Sequence, residues 1–324
     1  MPSTNPIQIP GVSQNPKDLS PLVVIIGPTA VGKTEISIQL AESLGGEIVS
    51  ADSRLFYRGM DIGTAKPTLS ERQRVLHHLI DIVNPDQTLS LPQFQEKASA
   101  AIADIHTRGR LPFLVGGTGQ YIRAVIQGWD PPRIPPHPGL RQALEGWADE
   151  IGKDALHARL RSLDLAAADQ IDPRNLRRTV RALEVIFTSG RSFSQQRLRS
   201  LSPYNTLLLG LIRPREELYA RIDSRLEEML KLGFVAEVQS LLDRGYSPNL
   251  PALSAIGYPQ IIAFLQGDIN IDEAASQIKR LTRTFVRRQA NWFKAQDPEI
   301  YWFEAAPGTG DQIKKMIIAR FTEQ

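Results

Sequence analysis

Residues 27–34 read GPTAVGKT, preceded by the apolar run LVVIIG and followed by EISIQLAESL. The spacing is that of G-x-x-x-x-G-K-[ST]. A short apolar run that ends in glycine reads as a buried strand, and the segment after it reads as a helix stopped by Gly45 and Gly46. Strand, glycine-rich turn and helix in this order make a phosphate cradle. Gly27 and Gly32 let the backbone turn its N–H groups inward, and the helix aims its positive end at the same point. Lys33 supplies a compact positive charge to terminal phosphate oxygens, and Thr34 offers a hydroxyl to Mg²⁺. Pro28, Thr29, Ala30 and Val31 complete the loop. Kinases, ATPases, switches and transferases all use such loops, so the identity of the phosphate must be read elsewhere.

The rest of the chain fits a sheet around that loop. GEIVSAD (46–52), HHLIDIV (77–83) and LPFLVGGTG (111–119) read as further strands, FQEKASAAIADIHTRG (94–109) as a helix, and TLLLGLIRP (206–214) as another strand. Strands alternating with helices imply a parallel sheet with helices on both faces. WDPPRIPPHPG (129–139) is a proline-rich break, after which helical periodicity runs from Leu140 to Phe187 with no convincing strand. After Pro214 the chain reads as helical to about residue 296. The expected organisation is a loose tail over 1–20, a phosphate-loop α/β core over 21–130 and 204–324 with a helical C-terminal region, and an inserted all-helical domain over 131–203.

The first twenty residues are polar and proline-rich, without the basic start and apolar stretch of a signal peptide. No apolar run approaches the length of a membrane span. The chain has no cysteine, which excludes disulfides, thiolate metal sites and cysteine nucleophiles and suits the cytosol.

The net charge of +3 is unevenly spread. Arginines 174, 177, 178, 181, 191, 197 and 199 face only Asp172 and Glu184, a local balance of +5. Over 174–187, Arg174, Arg177, Arg178 and Arg181 share one helix side, opposite Leu176, Val180, Leu183 and Phe187. Over 278–294, Arg280, Arg283, Arg287 and Lys294 share another, opposite Ile278, Leu281, Phe285 and Trp292. Each face alone reads equally as an ordinary solvated surface. Two with few acids nearby favour a phosphate backbone as partner.

Asp52 ends the second strand, where ligands of open α/β sheets bind. On position alone it is equally a magnesium ligand or a helix cap. RGMDIGTAKP (58–67) reads as a structured turn, with Lys66 either near the site or merely solvated. GGTG (116–119) closes its strand without the acid that many ATPases place there. His77 and His78 are adjacent on a strand, so they point to opposite faces and read as structural.

GPTAVGKT, DSRLFYRGMDIGTAKP, LVGGTGQYIRA, RRTVRALEV, GFVAEV, SAIGYPQ and TRTFVRRQANWF occur in the order seen in bacterial tRNA dimethylallyltransferases. The chain resembles that family from about residue 21 to 303. The resemblance implies that the loop 27–34 holds dimethylallyl diphosphate with Mg²⁺. It implies that the five-carbon group passes to the exocyclic amine of the adenosine 3′ of the anticodon, releasing diphosphate. Asp52 matches the family's base. Arg225 resembles its diphosphate clamp, with Arg221 one turn earlier. By match, Asp52, Ser53, Arg54, Leu55, Thr118, Arg141 and the stretch Arg177, Arg178, Thr179, Val180, Arg181 would face the anticodon stem-loop. Phe56, Tyr57 and Tyr121 are available for stacking on bases. The implied protein is a cytoplasmic monomer without a membrane contact.

Several positions depart from the family pattern. Leu55 stands where many relatives have glutamine, Pro259 where they often carry arginine, and DPRN (172–175) where the pattern more often ends in ND. The zinc finger of eukaryotic relatives has no counterpart in a chain without cysteine. An adenylate isopentenyltransferase shares the phosphate loop, and a small-molecule kinase or NTP-driven RNA-binding switch remains a reading from another class. The basic insertion separates the tRNA enzyme from the first of these, because a free nucleotide needs no such arm.

Overall fold

The computed structural model describes residues 19–130, 132, 134–196, 198–199 and 202–322. Residues 1–18 of the expected tail, Pro131 at the expected start of the insertion, and Arg197 lie outside the described residues. The chain forms two units, Met1–Ile126 with Ser202–Gln324, and Gln127–Leu201.

In chain order, the first unit begins with β1 (Ser20–Ile26), α1 (Lys33–Leu44), β2 (Glu47–Ser50), α2 (Leu69–Arg74), β3 (His77–His78), α3 (Leu91–Thr107), β4 (Pro112–Gly116) and α4 (Gly119–Ile126). The second unit holds β5 (Trp129–Asp130), α5 (Pro138–Ile151), α6 (Lys153–Leu163), α7 (Leu165–Gln170), α8 (Leu176–Ser189) and β6 (Leu198–Arg199). The first unit resumes with β7 (Tyr204–Ile212), α9 (Arg215–Lys231), α10 (Phe234–Asp243), α11 (Tyr258–Leu265), α12 (Ile271–Gln289), β8 (Ile300–Glu304) and α13 (Thr309–Thr322).

The six-stranded sheet runs β3-β2-β4-β1-β7-β8, and every pairing in it is parallel. Side chains alternate across a strand, so β1 feeds two cores. Val23 and Ile25 pack with Ile36 and Leu40 of α1, Ile222 of α9 and Ile313 of α13. Leu22, Val24 and Ile26 pack with Phe94 and Ile102 of α3 and Ile122 of α4. The expected parallel sheet with helices on both faces is what forms. The carboxyl ends of β1, β2, β4 and β7 then release the phosphate loop, Asp52, the GGTG turn and Arg213 at one end of the sheet.

Two strands differ from expectation. The third is only His77–His78, because Leu79 and Asp81 take positive φ angles of 62° and 57° and end the extended run. Asp81 turns aside to receive the buried Lys66 and Arg72. The C-terminal region is not purely helical, since β8 adds an edge strand beside β7. His78 Nε2 meets the buried Glu47 carboxylate at 2.7 Å, a structural role.

The second unit has its own core of Leu144, Leu156, Leu160, Val180 and Leu183. The antiparallel pair β5–β6 within it was not expected from a helical reading. α8 begins at the Asn175 cap, so Arg174 precedes the helix and pairs with Asp172 instead. Phe187 is half exposed rather than core. Thr179 and Val180 are fully buried, so neither has a surface to offer RNA. Glu184 is buried and accepts from Arg141 (2.8 Å), Arg181 (2.7 Å) and the His137 N–H (2.8 Å). Burial alone would push its carboxyl up. The hydrogen bonds from Arg181, His137 and Arg141 outweigh that and hold it below the usual carboxylate range. Arg141 and Arg181 are therefore partly neutralised, whereas Arg177 and Arg178 are exposed and make no ion pair among the described residues.

Candidate active site

At the carboxyl end of the first unit's sheet lies a cavity of about 1070 Å³. Thr29, Ala30, Gly32, Lys33 and Thr34 of the loop line it with Asp52, Ser53, Arg54, Leu55 and Thr118, and Arg221 and Arg225 close it from α9. The volume lies at the upper end for a small-molecule site. Its lining also includes the apolar side chains of Met229, Phe234, Ile256, Ile278, Phe285 and Trp292.

The loop's shape is set from beneath. Gly27 has φ of 150°, and a Cβ there would stand 2.7 Å from the Leu211 carbonyl, so this position accepts only glycine. Val31 is buried in the core, and Gly27 and Pro28 turn their carbonyls to Lys33. Gly27, Pro28 and Val31, named as ligand contacts by the resemblance, also shape the loop. Lys33 Nζ donates at 3.0 and 2.8 Å to those carbonyls, at the head of α1. Burial pulls the Lys33 ammonium down to about 8, against an attraction from Asp52 and with a repulsion from Arg225.

Three arginines steady the same loop and its surroundings. Arg221 Nε donates to the Ala30 carbonyl at 2.9 Å, and Arg213 reaches Val31 O at 3.4 Å. Arg225 reaches the Ala65 carbonyl at 3.5 Å. Burial draws the Arg225 guanidinium below the ordinary arginine value, and Asp52 opposes the shift. Asp52 thus sits in the field of two cations. Its Oδ1 accepts the Arg54 N–H at 3.0 Å, and its second oxygen makes no hydrogen bond among the described residues.

The turn that carries Ala65 is held by two devices. Glu237 of α10 accepts from the N–H groups of Asp61, Ile62 and Gly63 at 2.7, 2.7 and 3.1 Å, and from Tyr258 Oη at 2.8 Å. The Lys66 side chain is 1% exposed and held by Asp61, Asp81 and the Tyr57 carbonyl, which rules out the solvated reading. Arg54, expected to face RNA, spends its guanidinium on Pro251 O, Ala252 O and Ser254 Oγ.

The aromatic expectation is corrected. Phe56 and Tyr57 are buried, and Phe56 stacks on Phe94 with Tyr121 edge-on to both, centroids 4.5–5.8 Å apart. The rings that line the cavity are Phe234, Phe285, which is 41% exposed, and Trp292. α12 ends at Gln289, so Trp292 and Lys294 follow the helix, and Arg283 is spent on Asp223. Sequence reasoning also missed Gln289, which falls four residues after Phe285 on the apolar stripe. A polar residue on such a stripe is the signal that could have found it.

A family model described as IPP transferase matches residues 55–296, and one described as isopentenyl transferase matches residues 20–81. The chain belongs to the IPP transferase family. It is 55% identical to the tRNA dimethylallyltransferase of Roseiflexus sp. (strain RS-1), covering 85% of this chain and 90% of that one. It is 47% identical to the tRNA dimethylallyltransferase of Thermomicrobium roseum, covering 94% and 92%. Among solved structures, the full-length tRNA isopentenylpyrophosphate transferase of Bacillus halodurans aligns with a TM-score of 0.70 at 40% identity, covering 94% and 97%. A eukaryotic dimethylallyltransferase acting on tRNA aligns with a TM-score of 0.77 at 27% identity, covering 93% and 78%.

Proposed function

We propose that the protein transfers the dimethylallyl group of dimethylallyl diphosphate to the N6 amine of the adenosine 3′ of the anticodon in tRNA. The observation that carries this reading is one cavity lined by both the phosphate loop and Asp52. Family membership and the tRNA dimethylallyltransferases named above support it.

The chemistry assigns each group a task. An aromatic amine is a weak nucleophile because its lone pair is delocalised into the ring. As the new N–C bond forms, the free oxygen of Asp52 takes the amine proton, and the allylic C–O bond breaks with its electron pair leaving on the diphosphate. Lys33, Arg221, Arg225 and the loop amides stabilise the charge that gathers there. The apolar side chains of the lining offer the five-carbon group a hydrophobic contact. A flipped-out base, taken from its stack, needs a cavity to enter, and this one has the volume for it.

Thr34 lies in the first turn of α1 and lines the cavity, so its hydroxyl fits Mg²⁺. Among the described residues no cluster of three or more His, Asp or Glu could hold the ion alone, which suits a cation shared with substrate phosphates and water. When bound, Mg²⁺ neutralises charge on the leaving diphosphate. With tRNA as acceptor, the protein works in the cytoplasm, as a monomer. No helix among the described residues is long and apolar enough to cross a membrane.

The basic helix α8 contributes binding rather than chemistry. Arg177→Ala and Arg178→Ala should each weaken tRNA binding and reduce the slope of log K against log[salt] by about 1. Arg181→Ala should change that slope much less, because Glu184 already neutralises it. Affinity measured across a salt series checks this. Unchanged slopes for Arg177 and Arg178 would return the face to an ordinary solvated surface. Incubation with unmodified tRNA, Mg²⁺ and labelled dimethylallyl diphosphate, followed by nucleoside analysis, tests the transfer reaction itself.

A further inference from the structure

Gln289 is 9% exposed, lines the cavity, and has no task in the chemistry above. Its Oε1 accepts the Thr29 N–H at 2.9 Å, and its Nε2 donates to the Gly117 carbonyl at 3.3 Å. One side-chain amide therefore ties the phosphate loop after β1 to the glycine turn after β4. Both partners are distant in sequence, 260 and 172 residues away. The fit is close on the far side too, since a Cβ at Gly117 would stand 2.4 Å from Gln289 Nε2.

The bond has a direct consequence for the cradle. Pro28 has no N–H, and the Thr29 N–H is spent on Gln289. The Val31 N–H turns back to the Pro28 carbonyl at 3.4 Å, so the loop amides left to meet a diphosphate are those of Ala30, Gly32, Lys33 and Thr34. Gln289 thereby fixes which peptide groups turn toward the ligand and which turn away. No other side chain of this size does the same at both ends: glutamate accepts but cannot donate to a carbonyl, and methionine does neither.

We propose that Gln289 is a positioning residue for the diphosphate, acting through the Thr29 and Gly117 backbone to hold the loop amides in their binding arrangement. The inference rests on the diphosphate reading given above. A loop freed at Thr29 must be ordered by the ligand itself, so the loss appears in donor binding and not in the chemical step or in RNA affinity.

The test compares the parent with Gln289→Met, Gln289→Glu and Gly117→Ala, using inorganic pyrophosphate with Mg²⁺ as the probe in calorimetry. Steady-state constants are measured alongside, with the ¹⁵N amide resonance of Thr29. In Gln289→Met, pyrophosphate affinity should fall about tenfold, the scale of a lost buried hydrogen bond. KM for the prenyl donor should rise similarly, with kcat and KM for tRNA within about twofold, and the Thr29 resonance should move. Gln289→Glu should retain part of the affinity through its accepting oxygen. Gly117→Ala should reproduce the loss by displacing the amide, and should add little to Gln289→Met in the double variant. Gly117→Ala also serves as the readout if Gln289→Met does not fold. If the parent binds no pyrophosphate, the diphosphate reading falls. If the parent binds it and Gln289→Met binds it equally well, the positioning role falls.

Discussion

Replacing Lys33 by alanine should lower prenyl transfer by roughly 10²–10³-fold, the usual cost of removing one group that stabilises a leaving charge. tRNA affinity should stay within about twofold, because the lysine faces the phosphate loop's contents. Equal turnover in variant and parent would remove the phosphate-loop assignment. The depressed value of about 8 adds a pH signature. As pH rises through about 8, the free protein loses this cation, so kcat/KM for the prenyl donor should fall toward tenfold per unit. The bound diphosphate draws the proton back, so kcat should hold to higher pH. Lys33→Ala should abolish that alkaline limb. Stability moves the opposite way. An unfolded lysine keeps its proton to about 10.5. Between about 8 and 10.5 the unfolded chain therefore binds more protons, and the penalty of burying Lys33 is relieved as pH rises through that window.

Asp52→Asn should lower kcat by roughly 10²–10⁴-fold, the range for loss of a general base. Asparagine keeps an oxygen to accept the Arg54 N–H, so the turn after β2 survives and the effect reports the missing proton acceptor. Donor affinity should be nearly unchanged, because proton transfer matters in the transition state. A collapse of donor binding together with an altered Mg²⁺ dependence would instead make Asp52 a metal ligand. Single-turnover rates and donor binding, measured on the same preparation, separate the two outcomes.

How far the sequence could be read depends on whether the information was local. Strand β1, its loop and α1 were legible because their signals lie within a few residues: an apolar run, two glycines and a helix stop. The same holds for β2, β4, β7 and α3. The two-residue β3 was overestimated because HHLIDIV is apolar enough for a strand. Its reversal at Leu79 and Asp81 serves the distant Lys66. β8 went unseen because an exposed edge strand of five residues carries little pattern, and its Tyr301 is half exposed.

In the site, the residues of short motifs were nameable, whereas those defined by tertiary partners were not. A count of arginines could not show that Glu184 neutralises Arg181 together with Arg141, which lies 43 residues before that glutamate. Nor could aromatic content separate core rings from cavity rings. Phe56 and Tyr57 sit beside Asp52 in sequence yet point into the cores, while Phe285 and Trp292 come to the same cavity from α12 and the turn after it. The backbone partners of Gln289 and Glu237 lie more than 170 residues away, so the sequence shows Gln289 only as a polar residue on an apolar stripe and carries almost no trace of the role of Glu237.

The central claim is that one cavity joins an allylic diphosphate to an anticodon-loop adenosine. It is tested most directly by incubating the protein with unmodified total tRNA, Mg²⁺ and either labelled dimethylallyl diphosphate or labelled ATP, followed by nucleoside analysis. The expected product is N6-dimethylallyl adenosine at the position 3′ of the anticodon, with one diphosphate released per modified base and no label transferred from ATP. Transfer of phosphate from ATP, or prenylation of free adenylate with tRNA left unmodified, would contradict it.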